Sequence, residues 1–334
     1  VYEGNGDYNG LGVAADITTE ATNLMEQVPT WVRGLQKILR GNEPAITTGE
    51  QCSKPFDCPF FEHCRSQEPE GPKYPVTILK RSAALIRALF DEGYVDLRKV
   101  PVERLTNPIH QRIRKASVTG RSFLDPAAAE QLDELAYPRY YLDFETINFA
   151  IPRWAGARPY QQVPFQWSCH IEQRDGSLNE HAFLDLSGDD PTQGFAESLL
   201  RSLGKRGPIL VYNKSFEAGR VTELADWFPD LADALMGLNK RMVDLLPITQ
   251  KHYYHPAMLG SWSLKKVLPT IAPELDYGEL DDVADGGQAQ LAYLEAIHPE
   301  TSVDRRATLD TALRRYCGQD TIAMVRLLRA LAGR

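Results

Sequence analysis

The chain lacks any apolar run approaching the roughly 18 residues that cross a bilayer as a helix. It shows no internal repeat and no long low-complexity tract, which argues against a repeat array or an extended disordered tail. It is also short of positive charge, with 37 Lys and Arg against 45 Asp and Glu and a net charge of −8. Tight nonspecific attachment to nucleic acid rests on neutralising phosphates and is not expected of such a chain without a metal, although a local basic rim around a site would suffice. Cysteine is scarce, five residues in 334, and no secretory signal is visible. Disulfides are therefore not expected, and a soluble cytoplasmic protein with no membrane partner is. The length is enough for two domains with a sizeable core.

What the second half does contain is acid in unusual places. Three separated motifs stand out: Tyr-Leu-Asp-Phe-Glu-Thr (141–146), Tyr-Asn-Lys-Ser-Phe-Glu (212–217) and Tyr-Cys-Gly-Gln-Asp-Thr (316–321). The first lies in an aromatic run after Pro138 that suits a buried strand. Side chains alternate along a strand, so Asp143 and Glu145 share a face. The second follows a strand at 208–212 and opens a helix from Ser215 to Trp227. Glu217 falls in its first turn, where the helix dipole favours a negative charge, and Asn213 stands where an N-terminal cap would. The third lies in a periodic helix over about 307–331, where Tyr316 and Asp320 share one face. Taken singly, each acid has a bland explanation, such as a helix-start carboxylate or a salt bridge from Asp320 to Arg314 or Arg315. Converging together, four carboxylates need cations to neutralise them.

The surrounding elements read as an α/β layer. Extended runs at 140–146, 165–173 and 181–186 are separated by turn residues, with Asp175-Gly176 a hairpin signal. A helix over 192–203 precedes the strand at 208–212, and further helices are expected at 263–271 and 286–297.

Acid-x-acid on a first strand, Asn-x-x-Phe-acid after a later one and Tyr-x-x-x-Asp on a last helix resemble the DEDD superfamily of 3′–5′ exonucleases, in its DEDDy form. Met242-Val243-Asp244-Leu245 and Ser263-Leu264-Lys265-Lys266 are similar to the strand and helix start that follow the second motif there. The arrangement is also similar to a bacterial domain-of-unknown-function family that pairs such a domain with a nuclease-like N-terminal region. The resemblance implies an RNase H-like domain over 137–334, a mixed sheet flanked by helices. It implies two Mg²⁺ or Mn²⁺ ions held by Asp143, Glu145, Glu217 and Asp320, about 4 Å apart, activating water and stabilising the leaving 3′-oxygen. Tyr316 would orient the attacking water, and Thr146, Asn213 and Phe216 would lie against the 3′ end of a DNA or RNA strand. One departure is Glu217, where the pattern carries Asp. A catalytically weak or inactive nucleic-acid-binding or scaffold module is the alternative reading.

The first half is read as a partial nuclease-like region over 1–70 and a helical linker region over 71–136. Residues 1–18 are Gly-rich and suggest a hairpin with its turns, and 19–39 suggest a helix. The chain opens at Val1 rather than Met, so further chain upstream is expected. Cys52, Cys58 and Cys64 fall within thirteen positions. Cys-Pro-Phe-x-x-x-Cys resembles part of an iron–sulfur motif in some PD-(D/E)XK nucleases, without their fourth, upstream cysteine and with a longer first gap. A [4Fe-4S] cluster, zinc with His63 as a fourth ligand, or unmetallated thiols all fit. From Lys99 to Arg121 a basic stretch, including Arg104, Arg112 and Arg114, could hold phosphates or simply face solvent.

Overall fold

The computed structural model describes residues 1–275 and 283–334. By their contacts these form two compact units, Gly12–Pro75 and Val1–Leu11 together with Val76–Arg334. The segment expected as a linker region is thus part of the larger unit from residue 76 onward.

The smaller unit carries α1 (Thr18–Met25), α2 (Val28–Arg40) and α3 (Phe61–Gln67). The helix expected over 19–39 is therefore two helices. Pro29 sits in the first turn of α2, where its missing N–H costs nothing and its ring cannot be accommodated further inside a helix. The hairpin expected over 1–18 does not form, since no strand lies in those residues. Side chains cap the local backbone instead: Asn5 Oδ1 accepts from Asp7 N at 2.9 Å and Asp7 Oδ1 from Asn9 N at 2.9 Å, bonds that compete with a ladder. Residues 1–11 belong to the larger unit through Tyr2, whose N–H donates to Ala157 O at 2.9 Å while its carbonyl accepts from Gly156 N at 2.8 Å.

In the larger unit α4 (Ala83–Asp91), α5 (Pro108–Thr119), β1 (Phe123–Leu124) and α6 (Ala127–Asp133) precede the main sheet. Then come β2 (Arg139–Asn148), β3 (Gln162–Glu172), β4 (Leu178–Leu184), α7 (Thr192–Ser202), β5 (Ile209–Val211), α8 (Ser215–Trp227), α9 (Ala232–Arg241), β6 (Met242–Asp244) and α10 (Leu245–His252). The chain continues through β7 (Tyr253–Tyr254), α11 (Leu264–Val267), α12 (Gly286–Ala296) and α13 (Val303–Leu331). The main sheet is mixed and five-stranded, in the order β4-β3-β2-β5-β6. The first three strands are antiparallel, and β5 and β6 run parallel to β2. A two-stranded sheet pairs β1 with β7.

Alternation along β2 sorts its side chains. Leu142 and Phe144 join Phe195 and Leu199 of α7, Val221 and Leu224 of α8 and Leu235 of α9 in one apolar core. Asp143 and Glu145 point to the other face, which α13 covers. There Gln166 Nε2 donates to Leu313 O at 2.8 Å, and Thr321 Oγ1 lies 3.1 Å from Ser168 Oγ and 2.8 Å from His170 Nδ1. At Gly318 a Cβ would stand 2.6 Å from Glu180 Oε1 and 3.9 Å from Ser168 Oγ, so glycine lets the helix lie close on β3 and β4. Tyr141 OH donates to Glu172 Oε2 at 2.7 Å, and Arg329 Nη2 donates to Glu172 Oε1 at 2.8 Å. These bonds set the position of α13 along the sheet. Among the described residues no helix is long and apolar enough to cross a membrane.

Candidate metal centre

The site forms where β2, the start of α8 and the middle of α13 meet. Asp143 pairs across the sheet with Ser168 and Glu145 with Gln166, after which the register shifts so that Thr146 faces Pro164. Pro164 has no N–H to give the ladder, and the resulting bulge lies immediately beside Glu145. Phe165, the residue passed over, stacks on Tyr293 of α12 with centroids 3.8 Å apart.

Glu217 reaches the cluster from the first turn of α8, and an unusual turn aims that helix. Asn213 takes a left-handed φ of 81°. Its N–H and that of Lys214 donate to the two oxygens of Asp244, each at 3.0 Å. Asp244 Oδ1 also accepts from Leu246 N at 2.9 Å, capping α10. A single carboxylate at the end of β6 thus ties together the starts of two helices. Asn213 does not cap α8 by accepting a backbone N–H; its Oδ1 accepts from Ser215 Oγ at 2.9 Å.

Asp143, Glu145 and Cys317 bring their ligand atoms within 4.8 Å of one another. Cys317 was not expected here, although it stands inside the third motif. Its Sγ donates to Asp143 O at 3.8 Å and lies 3.9 Å from Asp143 Oδ2. Burial first, then the charges of Asp143, Glu145 and Asp320, push this thiol well above its ordinary pKa. In the metal-free chain it is therefore a neutral weak donor, standing at ligand spacing with Asp143 and Glu145.

The carboxyls respond to one another. Burial, then Asp320, Glu145 and Glu217, raise Asp143 well above the usual carboxylate range. Glu145, 9% exposed, is pushed up to about 8 by burial and by Asp320, with Lys265 pulling the other way. Glu217, 2% exposed, is raised to about 8 chiefly by burial, against its own backbone hydrogen bond, with Asp244 adding to the rise. Its Oε2 is buried without a hydrogen-bond partner. A buried anionic oxygen left unpaired costs several kcal/mol in the charged form, on the order expected for a lone buried charge. Asp320, half-buried on α13, joins the cluster through its charge on Asp143 and Glu145. Of the four carboxyls, Asp143 and Glu145 stand at ligand spacing, together with Cys317, while Glu217 and Asp320 act on them through charge. Carboxylate oxygens are donors that suit a hard divalent cation.

Tyr316 is 4% exposed, and its hydroxyl accepts from Lys265 Nζ at 3.2 Å. The same ammonium donates to Ala284 O at 2.8 Å and lies 5.0 Å from the Tyr316 ring centroid. Burial and the charges of Asp320, Glu145 and Asp143 push the phenol above its ordinary value, so it stays neutral. Lys265 places a cation against Glu145, as Arg220 does against Glu217, and the place of Lys265 in Ser-Leu-Lys was its sequence sign.

The other expected contacts divide. Thr146 is buried and its hydroxyl donates to Gln162 Oε1 at 3.0 Å. Phe216 is half-buried against the apolar core, with the Arg220 guanidinium 5.6 Å from its ring centroid. Asn213 is exposed. In the smaller unit Cys52, Cys58 and Cys64 are half-buried free thiols. They are not among the side chains gathered to metal-ligand spacing in the described residues. His63 Nε2 lies 2.6 Å from Glu43 Oε1 and 2.8 Å from Gln67 Nε2, so that ring nitrogen is already engaged. Much of the basic stretch is structural: Arg104 pairs with Glu92, Arg112 donates to Gln250 O at 2.7 Å, and Arg114 donates to Val100 O.

A family described as a domain of unknown function (DUF2779) matches residues 140–263, which takes in the first two motifs and stops short of Lys265 and the third. The chain is similar to "Uncharacterized protein UU173" of Ureaplasma parvum serovar 3, at 28% identity over 159 residues, 44% of this chain and 23% of that protein. It is also similar to "Uncharacterized protein MG366 homolog" of Mycoplasma pneumoniae, at 24% identity over 259 residues, 70% of this chain and 38% of that one. The chain thus spans well under half the length of either relative. No solved structure matches it.

Proposed function

We propose that the larger unit is a metal-dependent 3′–5′ exonuclease of RNase H-like fold, hydrolysing phosphodiester bonds of DNA or RNA. The observation that carries this reading is the shared electrostatic cluster of Asp143, Glu145, Glu217 and Asp320, with Glu217 Oε2 buried and unpaired. Burying these acids together is unfavourable for a protein that never neutralises them.

In this reading the four carboxylates hold Mg²⁺ or Mn²⁺, as the sequence resemblance implies. When bound, the cations activate water and stabilise the charge that develops on the phosphate and the leaving oxygen. The side chains do the rest. Tyr316, neutral and fixed by Lys265, orients the attacking water by hydrogen bonding and does not serve as its base. Lys265 faces the cluster with positive charge that offsets developing negative charge. Asp244 sets the aim of Glu217 by fixing the turn before α8. The longer Glu217 side chain moves its oxygens by about one bond length relative to the Asp of the pattern, and the Asp244 latch sets where they stand.

The test is to incubate 5′-labelled single-stranded DNA and RNA with the protein in Mg²⁺, Mn²⁺ or EDTA. A ladder shortening from the 3′ end with metal and none in EDTA is expected. Intact substrate under all conditions would remove the proposal.

A further inference from the structure

A cleft of about 580 Å³ opens along the chain segments that lead to Glu217 and to Lys265, within the roughly 300–1,000 Å³ range of sites that hold small organic ligands. In a chain with net charge −8, no acidic side chain lines it. Its walls come from segments far apart in sequence: Lys80 and Arg81 before α4, the start of α5, Tyr212 and Asn213 after β5, and the loop 260–264.

Two of its edges lead into the metal centre. Asn213 is followed about one helical turn later by Glu217, and Ser263-Leu264 lead directly into Lys265, which holds Tyr316. The cleft lies at the carboxyl ends of parallel strands β5 and β6, where open α/β sheets bind ligands.

Its lining has the chemistry of a polynucleotide site. Lys80 and Arg81 are exposed and neither is ion-paired among the described residues. The start of α5, a 12-residue helix capped by Asn107, adds its favourable dipole on the same wall. Trp262 is half-buried, with its indole N–H spent on Tyr253 O at 2.9 Å and its ring 5.1 Å from that of Tyr254. Tyr212 OH also donates to Trp262 O at 2.5 Å. The indole is thus a fixed apolar plane, the kind of platform on which a base stacks regardless of its identity.

The backbone holds this geometry at some cost. Arg81 (φ 61°) and Asn213 (φ 81°) are left-handed non-glycine residues on the cleft wall. Gly260 passes so close to Ile78 that a Cβ would stand 1.9 Å from the Ile78 carbonyl oxygen. That approach brings Lys80 and Arg81 next to the Trp262 loop.

We infer that this cleft holds a single strand of nucleic acid upstream of its 3′ end, with backbone phosphates at Lys80 and Arg81 and a base on Trp262. The inference rests on the exonuclease reading and names its substrate as a polynucleotide strand rather than a mononucleotide. Lys80 and Arg81, from outside the matched family region, would then act with Trp262, from within it, in presenting the strand to the acids.

The experiment uses the full chain in EDTA, where binding is read apart from turnover. Tryptophan fluorescence is titrated with dT8, rU8 and thymidine 5′-monophosphate, for the wild type and for the Lys80→Gln/Arg81→Asn variant, whose changes are at exposed positions. Asparagine tolerates the left-handed backbone at position 81, and an unchanged melting temperature shows that the fold is kept. The octamers are expected to bind far more tightly than the mononucleotide. The variant should weaken octamer binding by roughly 10–100-fold and lower the salt slope by roughly 1–1.5, as the loss of two phosphate contacts requires. A difference between dT8 and rU8 identifies the strand. Octamer binding with the same affinity and salt slope in both proteins overturns the inference, and if the wild type still degrades strands with metal, the exonuclease reading survives that result. Octamer binding that depends on these residues, without any hydrolysis in metal, keeps the cleft and removes the exonuclease. Octamers that bind no better than the mononucleotide overturn the inference as well.

Discussion

Lys265 Nζ donates to the Tyr316 hydroxyl at 3.2 Å while its charge lowers the cost of ionising Glu145. One ammonium therefore serves both the aromatic and the acidic side of the proposed centre. Lys265→Met should lower kcat roughly 10–100-fold through lost orientation and charge stabilisation. Lys265→Arg should retain more activity, since it keeps the charge. Equal activity of Met and wild type would show that Tyr316 needs no fixing.

The acidic cluster makes stability depend on pH in a direction opposite to most carboxylates. Glu145 and Glu217 are raised to about 8 in the folded chain, against about 4.3 for a free Glu. Between those values the folded chain keeps protons that the unfolded chain has released. Their contribution is fully present below about pH 4.3 and is lost as pH rises through about 8. The metal-free protein should therefore melt at progressively lower temperature from pH 6 to 8.5. Mg²⁺ or Mn²⁺ should flatten that slope, as should Glu145→Gln with Glu217→Gln. A metal-free melting temperature that is flat or rising over this range would contradict the account.

Asp244 carries the aim of α8 through backbone bonds to Asn213, Lys214 and Leu246. Asp244→Ala leaves three N–H groups without that acceptor and should cost roughly 1–3 kcal/mol of stability in denaturant titration. Asp244→Asn keeps one oxygen but turns an N–H₂ toward a donor, so it should fall between. Wild-type stability in the Ala variant would show that these bonds are replaced by water without loss.

Cys169 and Cys317 are buried, whereas Cys52, Cys58 and Cys64 are partly exposed. In metal-stripped protein, a thiol reagent should label the latter three quickly and the buried pair only on unfolding. Cys317→Ser leaves a neutral oxygen donor at the same place and should keep metal-dependent activity within a few-fold, because the carboxylates carry the negative charge that a hard cation prefers. Loss of activity with retained fold in that variant would make Cys317 part of the machinery.

Much of this arrangement was legible in the sequence because it is carried by local periodicity. The alternation of Asp143 and Glu145 against Leu142 and Phe144 announces both a strand and its two faces. The spacing of Tyr316 and Asp320 announces a shared helix face. The strands and helices that were expected from 139 onward occur in order, but α9, α10 and β7 were not expected, and the helix expected over 263–271 is the short α11 (Leu264–Val267) followed by a single 3-10 turn. What was hidden depends on chain segments meeting in space. Asp244 looked like the end of a strand, and only its carboxylate, reaching two helix starts, shows its task. Lys80 and Arg81 carry no local signal, since their place is set by the close pass of Gly260 over Ile78. The N-terminal glycines misled for the opposite reason. They permit a hairpin, but Asn5 and Asp7 satisfy the neighbouring backbone first.

The most direct test of the cation site is Mn²⁺ binding followed by electron paramagnetic resonance, comparing wild type with Asp143→Ala and Asp320→Ala. The account predicts saturable binding of about two ions per chain in the wild type and loss of at least one in each variant, with the fold unchanged. The same weak, unsaturable binding in all three proteins would contradict it.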